Sequence, residues 1–136
     1  TLRSLCSELG SLAGFDAVFE NSGSLDRMSK KSQVYLYRIA QEALNNIAKH
    51  ARATQVTMKL NRIDNIVCLE VSDNGKGFIF DPVSFAQRNG LQNMRERTQL
   101  LQGEFIMNSK PGNGTTIKVS IPYNTGNGKD QTDFGG

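Results

Sequence analysis

Residues 55–77 read QVTMKLNRIDNIVCLEVSDNGKG, and this stretch decides the fold. Gln55 to Leu60 alternates, with Val56, Met58 and Leu60 on one side, as a half-buried strand does. Asn61 to Asn65 is rich in turn formers. Ile66 to Asp73 begins apolar on both sides, which predicts a central strand. Val67, Leu69 and Val71 share their face with Asp73, because side chains alternate along a strand. If that face packs on helices, Asp73 is aimed into the layer between sheet and helices. Asn74-Gly75-Lys76-Gly77 then ends the strand.

The elements on either side follow from the same periodicities. Leu2, Leu5, Leu9 and Leu12 recur at helical spacing and stop at Gly14. Phe15, Val18 and Phe19 suggest a strand, and Asn21 to Ser24 a break. Ser29 or Ser32 can cap a longer helix reaching about His50, with Leu36, Ile39, Ala40, Ala43 and Ile47 on one face. Downstream, Phe78 to Asn89 has no clear period and is expected to be a loop. Gly90 is expected to open a third helix, Leu91 to about Gln102, ended by Gly103. Strands follow at Glu104–Asn108 and Thr115–Ile121, joined by the turn Pro111-Gly112-Asn113-Gly114. Short connections between neighbouring strands predict a mixed, mostly antiparallel sheet. Three helices covering one face make an α+β fold, a two-layer α/β sandwich. Residues 1–123 are expected to form one domain. Residues 124–136, polar and glycine-rich, are expected to be a disordered tail.

Composition narrows the function. The chain has 136 residues, enough for one core. Its net charge of +3 is mild, its Lys and Arg are scattered, and it has no Trp and three Tyr, which gives no case for a nucleic-acid partner. No apolar run approaches the roughly 20 residues of a membrane span. The two cysteines, Cys6 and Cys68, are too far apart in sequence for a metal motif and are expected to be small buried hydrophobes in a reducing compartment. His50 has no neighbouring His or Cys that would suggest a metal site. The chain begins at Thr1, so a piece of a longer protein is expected.

Four constellations carry chemistry. Glu42 and Asn46 are four apart and share a helix face with Arg38 and Lys49. A carboxylate beside a carboxamide can hold a hydrated divalent cation and its phosphate ligands. Alone, the commoner meaning is a solvated face with an Arg38–Glu42 pair. Asp73, if buried, needs a donor partner, and the exocyclic amine of adenine is one. Alone, Asp-x-Gly is also a common turn. Thr115 shares the parity of Ile117, Val119 and Ile121 and so faces inward after Gly112-x-Gly114, where its hydroxyl could share a water with Asp73 and the ring. Alone, that is a hairpin and a good strand former. Asn89-Gly90-Leu91, read as a helix start, would offer free N–H groups to phosphate, behind a loop able to close over a ligand. Alone, the loop is a plain connection.

Together, in this order and on these elements, the motifs resemble the GHKL ATPase superfamily, with its Bergerat fold. The phrases QEALNNIAKHA at 41–51 and GLQNMRER at 90–97 are narrower. They are similar to the ATP-binding catalytic domain of bacterial sensor histidine kinases of the nitrate-sensor type, and the resemblance covers about residues 1–122. It implies ATP and Mg2+ as cofactors. It implies that Asn46 ligates magnesium and that Glu42 orients a metal-bound water, or acts as general base in members that hydrolyse ATP. Lys49 and His50 would approach the phosphates. Asp73 would bind the adenine amine, with Gly75 and Gly77 shaping the pocket. Gly90 and Leu91 match the second glycine box at the end of the lid, and Thr115 would support the adenine site. The implied partners are a separate dimerisation and phosphoacceptor domain of the parent kinase and a LuxR-like response regulator. Neither nucleic acid nor membrane contact is implied for this cytoplasmic, monomeric piece, although the parent could be membrane-anchored. His50, inside the helix, is a poor acceptor. Two other classes stay open: a serine kinase of the anti-sigma type or an ATP-driven clamp on the same fold, and a non-catalytic nucleotide-binding module.

Overall fold

A computed structural model describes residues 1–23, 28–76 and 85–123. The expected tail 124–136, Gly77, most of the expected loop (78–84) and Ser24 lie outside the described residues. Helix α1 spans Leu2–Ala13, with the Thr1 hydroxyl accepting from the Ser4 N–H and Gly14 closing the last turn. Strand β1 (Asp16–Ser22) is followed by α2 (Lys30–Asn46), whose N-cap is Ser29. The serine oxygen accepts from the Ser32 N–H at 3.1 Å, satisfying a donor that the helix itself leaves free. Strands β2 (Gln55–Ile63) and β3 (Ile66–Asp73), helix α3 (Phe85–Leu100) and strands β4 (Glu104–Ser109) and β5 (Thr115–Pro122) complete the order.

The sheet runs β1-β2-β3-β5-β4. β1 and β2 are parallel, as the crossover through α2 allows, and every other pair is antiparallel. The β2–β3 turn is tighter than expected. Ile63 pairs with Ile66, so only Asp64 and Asn65 turn the chain, with Asp64 at φ 54°. Alternation does the rest. Val56, Met58 and Leu60, then Val67, Leu69 and Val71, then Ile117, Val119 and Ile121 all face inward and are buried. Leu36, Ile39, Ala40, Ala43 and Leu44 of α2 and Leu91 and Met94 of α3 cover them. Each large side chain buried this way contributes about 1.5–3 kcal/mol.

Among the described residues no helix covers the other face of the sheet. Register places Glu20, Lys59, Glu70 and Lys118 side by side across four strands, a row of alternating charge. Cys68 sits on this face and is only half buried, unlike Cys6 in the core. The inward position of its neighbours Val67 and Leu69 explains that departure from expectation.

Two helices depart from expectation. α2 ends as an α-helix at Asn46 and widens into a π-helical turn, Ile47–Ala51, before Arg52 at φ 50°. α3 begins at Phe85, so Phe85–Asn89 is helical rather than loop, and Gly90 lies inside the helix instead of opening it. Gly90 and Leu91 are buried in it and Asn89 is exposed. At the far end Gln102, at φ 59°, takes the left-handed position, and the Gly103 N–H returns to the Thr98 carbonyl at 2.9 Å. Gly103 is required for another reason: a Cβ there would stand 2.5 Å from the Ser120 carbonyl oxygen.

Candidate functional site

The inward face of the sheet is apolar until its last row. There the register sets Asp73 at the end of β3 beside Thr115 at the start of β5, and Thr115 beside Ser109 at the end of β4. The expected parity holds, and both Asp73 and Thr115 are buried. Gly114 makes the row possible. Its φ is 74°, and a Cβ on it would run into the Asp73 carbonyl oxygen. The Gly112 N–H bonds to the Lys76 carbonyl, tying the β4–β5 turn to the turn after Asp73.

Asp73 is held at one oxygen and open at the other. Oδ1 accepts from the Gly75 N–H at 2.7 Å. Oδ2 is buried with no hydrogen-bond partner among the described residues. Burial pushes the carboxyl above its ordinary pKa, and the backbone N–H groups of Gly75 and Thr115 draw it back. An orphaned carboxylate oxygen costs free energy unless a donor arrives. Asn74 keeps the strand end in place: its Oδ1 accepts from the N–H groups of Thr54 and Gln55 at 3.0 and 2.9 Å, and its Nδ2 donates to the Thr54 hydroxyl.

A narrow cleft opens between this row and the C-terminal end of α2. Ala43, Asn46, Ile47, Val71, Asp73, Thr115 and Ile117 line it. Asp73 and Asn46 therefore line one cleft together with the apolar Ala43, Ile47, Val71 and Ile117, and the hollow among them is small, about 10 Å³. Asn46 also belongs to a second group. Gly90 of α3 packs over the Glu42–Asn46 pair, so that a Cβ at Gly90 would lie 3.5 Å from both Asn46 Nδ2 and Glu42 Oε1. Glu42 and Asn46 thus stand on one helix face, as the spacing predicts, half-buried under α3. Among the described residues no cluster of three or more His, Cys, Asp and Glu occurs. One carboxylate and one carboxamide match a magnesium ion that keeps several waters and takes phosphate oxygens.

The remaining expected residues fall around these two groups. Gly75 is buried and donates to Asp73. Leu91 is buried in the core beside Met94. Lys49 is exposed on the π-helical turn. Gly77 and the side chain of His50 lie outside the described residues. The anion site expected at a helix start at Asn89–Leu91 is not there, because the helix begins a turn earlier. Arg38 donates to Gln41 Oε1 at 3.1 Å. Ser109, which sequence reasoning passed over, completes the polar row; its parity with Phe105 and Met107 is the signal that could have found it.

Residues 31–125 match the family described as "Histidine kinase-, DNA gyrase B-, and HSP90-like ATPase". Among curated proteins, the chain is 34% identical over 126 residues to the signal transduction histidine-protein kinase/phosphatase DegS of Brevibacillus brevis, covering 92% of this chain and 32% of that protein. It is 36% identical to the sensor histidine kinase MctS of Rhizobium johnstonii, covering 89% and 26%. It is 40% identical to the sensor protein VraS of Staphylococcus aureus, covering 72% and 28%. The chain therefore spans about a third or less of these relatives. Its fold is that of the blue-light activated histidine kinase of Erythrobacter litoralis EL346, with a TM-score of 0.74 at 19% identity, over 94% of this chain and 42% of that one. The histidine kinase domain of the same protein gives a TM-score of 0.69 at 18% identity, over 98% and 63%.

Proposed function

The chain belongs to the histidine kinase-, DNA gyrase B- and HSP90-like ATPase family, and from that premise we propose that it is the ATP-binding catalytic domain of a two-component sensor histidine kinase. The observation that supports this is the cleft that Asp73 and Asn46 line together. Two of the relatives are named as histidine kinases and the third as a sensor protein, which favours this over a clamp, a serine kinase or a non-catalytic module. None of them is named as a nitrate sensor. The finer placement among nitrate-sensor-type kinases rests on the phrases at 41–51 and 90–97.

Each residue then has a task. Asp73 Oδ2 accepts from the exocyclic amine of adenine, which supplies the donor it lacks. Thr115 supports the ring edge, and Gly75 and Gly77 shape the turn against it. Asn46 offers an oxygen to Mg2+. Magnesium, when bound, would neutralise charge on the terminal phosphates of ATP. Glu42 orients water beside the triphosphate, Lys49 and His50 approach the phosphates, and Gly90 and Leu91 bound the lid end. The imidazole nitrogen of a histidine on a separate dimerisation and phosphoacceptor domain attacks the γ-phosphorus in line, and the bond to the ADP oxygen breaks. The domain contributes positioning and charge neutralisation rather than a covalent intermediate of its own. A LuxR-type response regulator would receive the phosphoryl group. No helix among the described residues is long and apolar enough to cross a membrane, and a cytoplasmic location fits a consumer of ATP.

Calorimetric titration with ATP tests the proposal. Binding should need Mg2+ for full affinity and should favour ATP over GTP. Asn46→Asp should impair only the magnesium-dependent part of the affinity, because it alters the metal's ligand and leaves the base end intact. Absence of ATP binding by the folded chain would overturn the proposal. Added phosphoacceptor domain should then become labelled with an acid-labile phosphate.

A further inference from the structure

Helix α3 runs back along α2. Gly90 packs against Glu42 and Asn46, and about two turns later Arg97 stands with Arg38 at the seam between the helices. A polar hollow of about 210 Å³ lies in that seam, lined by Arg38, Gln41, Glu42, Asn45, Asn93 and Arg97. At Arg38 and Gln41 it meets a second hollow of about 480 Å³, which follows α2 back through Tyr37 and Val34 to Lys30. The two form one straight groove. It follows α2 from Lys30 to Asn45, about 22 Å at a helical rise of about 1.5 Å per residue.

Charge and shape say what the groove takes. Its floor is apolar where Val34, 44% exposed, lies beside Tyr37. Its rim carries Lys30, Arg38 and Arg97 against the carboxylate of Glu42. Arg97 closes no ion pair among the described residues, and Arg38 donates to the neutral Gln41. A straight groove with an apolar floor and a basic rim fits an amphipathic helix with an acidic flank. The inner end of the groove is Glu42, placed above beside the triphosphate, so a helix lying in it reaches the terminal phosphate. The chain spans a third or less of its curated relatives, which leaves most of such a protein to supply that helix.

We propose that this groove docks one helix of the phosphoacceptor domain, apolar toward Val34 and Tyr37 and acidic toward Arg38 and Arg97, so that its histidine arrives at the Glu42 end. The proposal rests on the function proposed above and names the surface through which the partner reaches that site. Neither Val34 nor Arg97 lines the cleft of Asp73 and Asn46. Both act on the affinity for the partner alone.

The test is phosphoryl transfer from magnesium-ATP to the separate phosphoacceptor domain of the parent kinase, added in increasing amounts. Val34→Glu should raise KM for that domain about tenfold or more, because it sets a charge on the apolar floor. Arg97→Glu should raise it about three- to tenfold, and the difference from wild type should shrink in about 0.5 M salt. The kcat at saturation and the affinity for magnesium-ADP should keep their wild-type values, because only docking is lost. A measurement free of variants is titration of the domain into the isotopically labelled chain. The amide resonances of Val34, Tyr37 and Arg97 should shift, while those of Val18 and Ile106, on the opposite face of the sheet, stay in place. An unchanged KM in both variants, or amide shifts that avoid the groove, would overturn the docking role and leave the proposed function standing. A parallel loss of magnesium-ADP affinity would also overturn it, because the groove would then belong to the nucleotide site. Self-association of the chain that Val34→Glu abolishes, with KM unchanged, would assign the groove to a second copy instead. A wild-type chain that binds no magnesium-ATP would overturn the proposed function and this role together.

Discussion

Asp73 carries opposing demands in one side chain. Burial disfavours its charge, yet the role proposed for it needs an acceptor. Its pKa lies above the ordinary 3.8 because desolvation outweighs the N–H groups of Gly75 and Thr115. The folded chain therefore holds this proton more tightly than the unfolded chain does. The stability that the protonated group contributes is complete below 3.8 and is lost as pH rises through the raised value. Asp73→Asn removes that titration. Thermal melts from pH 3.5 to neutrality should show the asparagine variant gaining on the wild type as the carboxyl ionises and then holding a constant lead. A difference that is flat throughout, or that falls, would show that the carboxyl is not desolvated. The same variant should lose ADP binding by tenfold or more, because a carboxamide cannot present an acceptor both to Gly75 and to the adenine amine without leaving a buried group unpaired. Stability and binding thus move in opposite directions at one residue, as expected of a group held for function.

Helix α3 makes the same point for an element. Gly90 sits in its interior, where alanine would be about 1 kcal/mol better. A methyl group there would meet Glu42 and Asn46 at 3.5 Å, ordinary contact that the fold can accept but that occupies space beside the proposed metal pair. Gly90→Ala should raise the melting temperature and lower the magnesium-dependent affinity for ATP severalfold, read by melts and by titration with and without Mg2+. Retained affinity would move the metal site away from α3. Elements also show what was legible beforehand. The parity of β3 and β5 placed Asp73 and Thr115 on the buried face, because a period of two leaves only two choices. The spacing of Glu42 and Asn46 placed them together for the same kind of reason. The start of α3 was hidden because Phe85 to Asn89 carries no helical apolar period in the sequence. The π-helical turn after Asn46 was hidden because one extra residue per turn leaves no mark in a run as short as Ile47–Ala51. Ser109 was hidden because its meaning comes from Thr115 across the hairpin, a contact set by register rather than by local pattern.

At the scale of the whole molecule, the two faces of the sheet have separate work. The inner face holds the core and the cleft, while the outer face meets solvent through the row Glu20, Lys59, Glu70 and Lys118. Directly opposed side chains on neighbouring strands interact by about 0.2–1 kcal/mol per pair, and like charges reverse the sign. Register sets Glu70 between two lysines, so opposite charges face each other on both sides of it without closing an ion pair. Glu70→Lys would turn both into repulsions and place three ammonium groups in succession. The expected loss is about 1–2 kcal/mol in urea unfolding at low ionic strength, from two pairs each changing sign. Most of it should vanish in 1 M salt, where the screening length is about 3 Å. The affinity for magnesium-ADP should not change, because Glu70 points away from the cleft that Val71 and Asp73 line. A salt-independent loss would mean that Glu70 supports the fold by packing instead. A parallel loss of nucleotide affinity would mean that the outer face communicates with the cleft through β3, so that the two layers would not be independent.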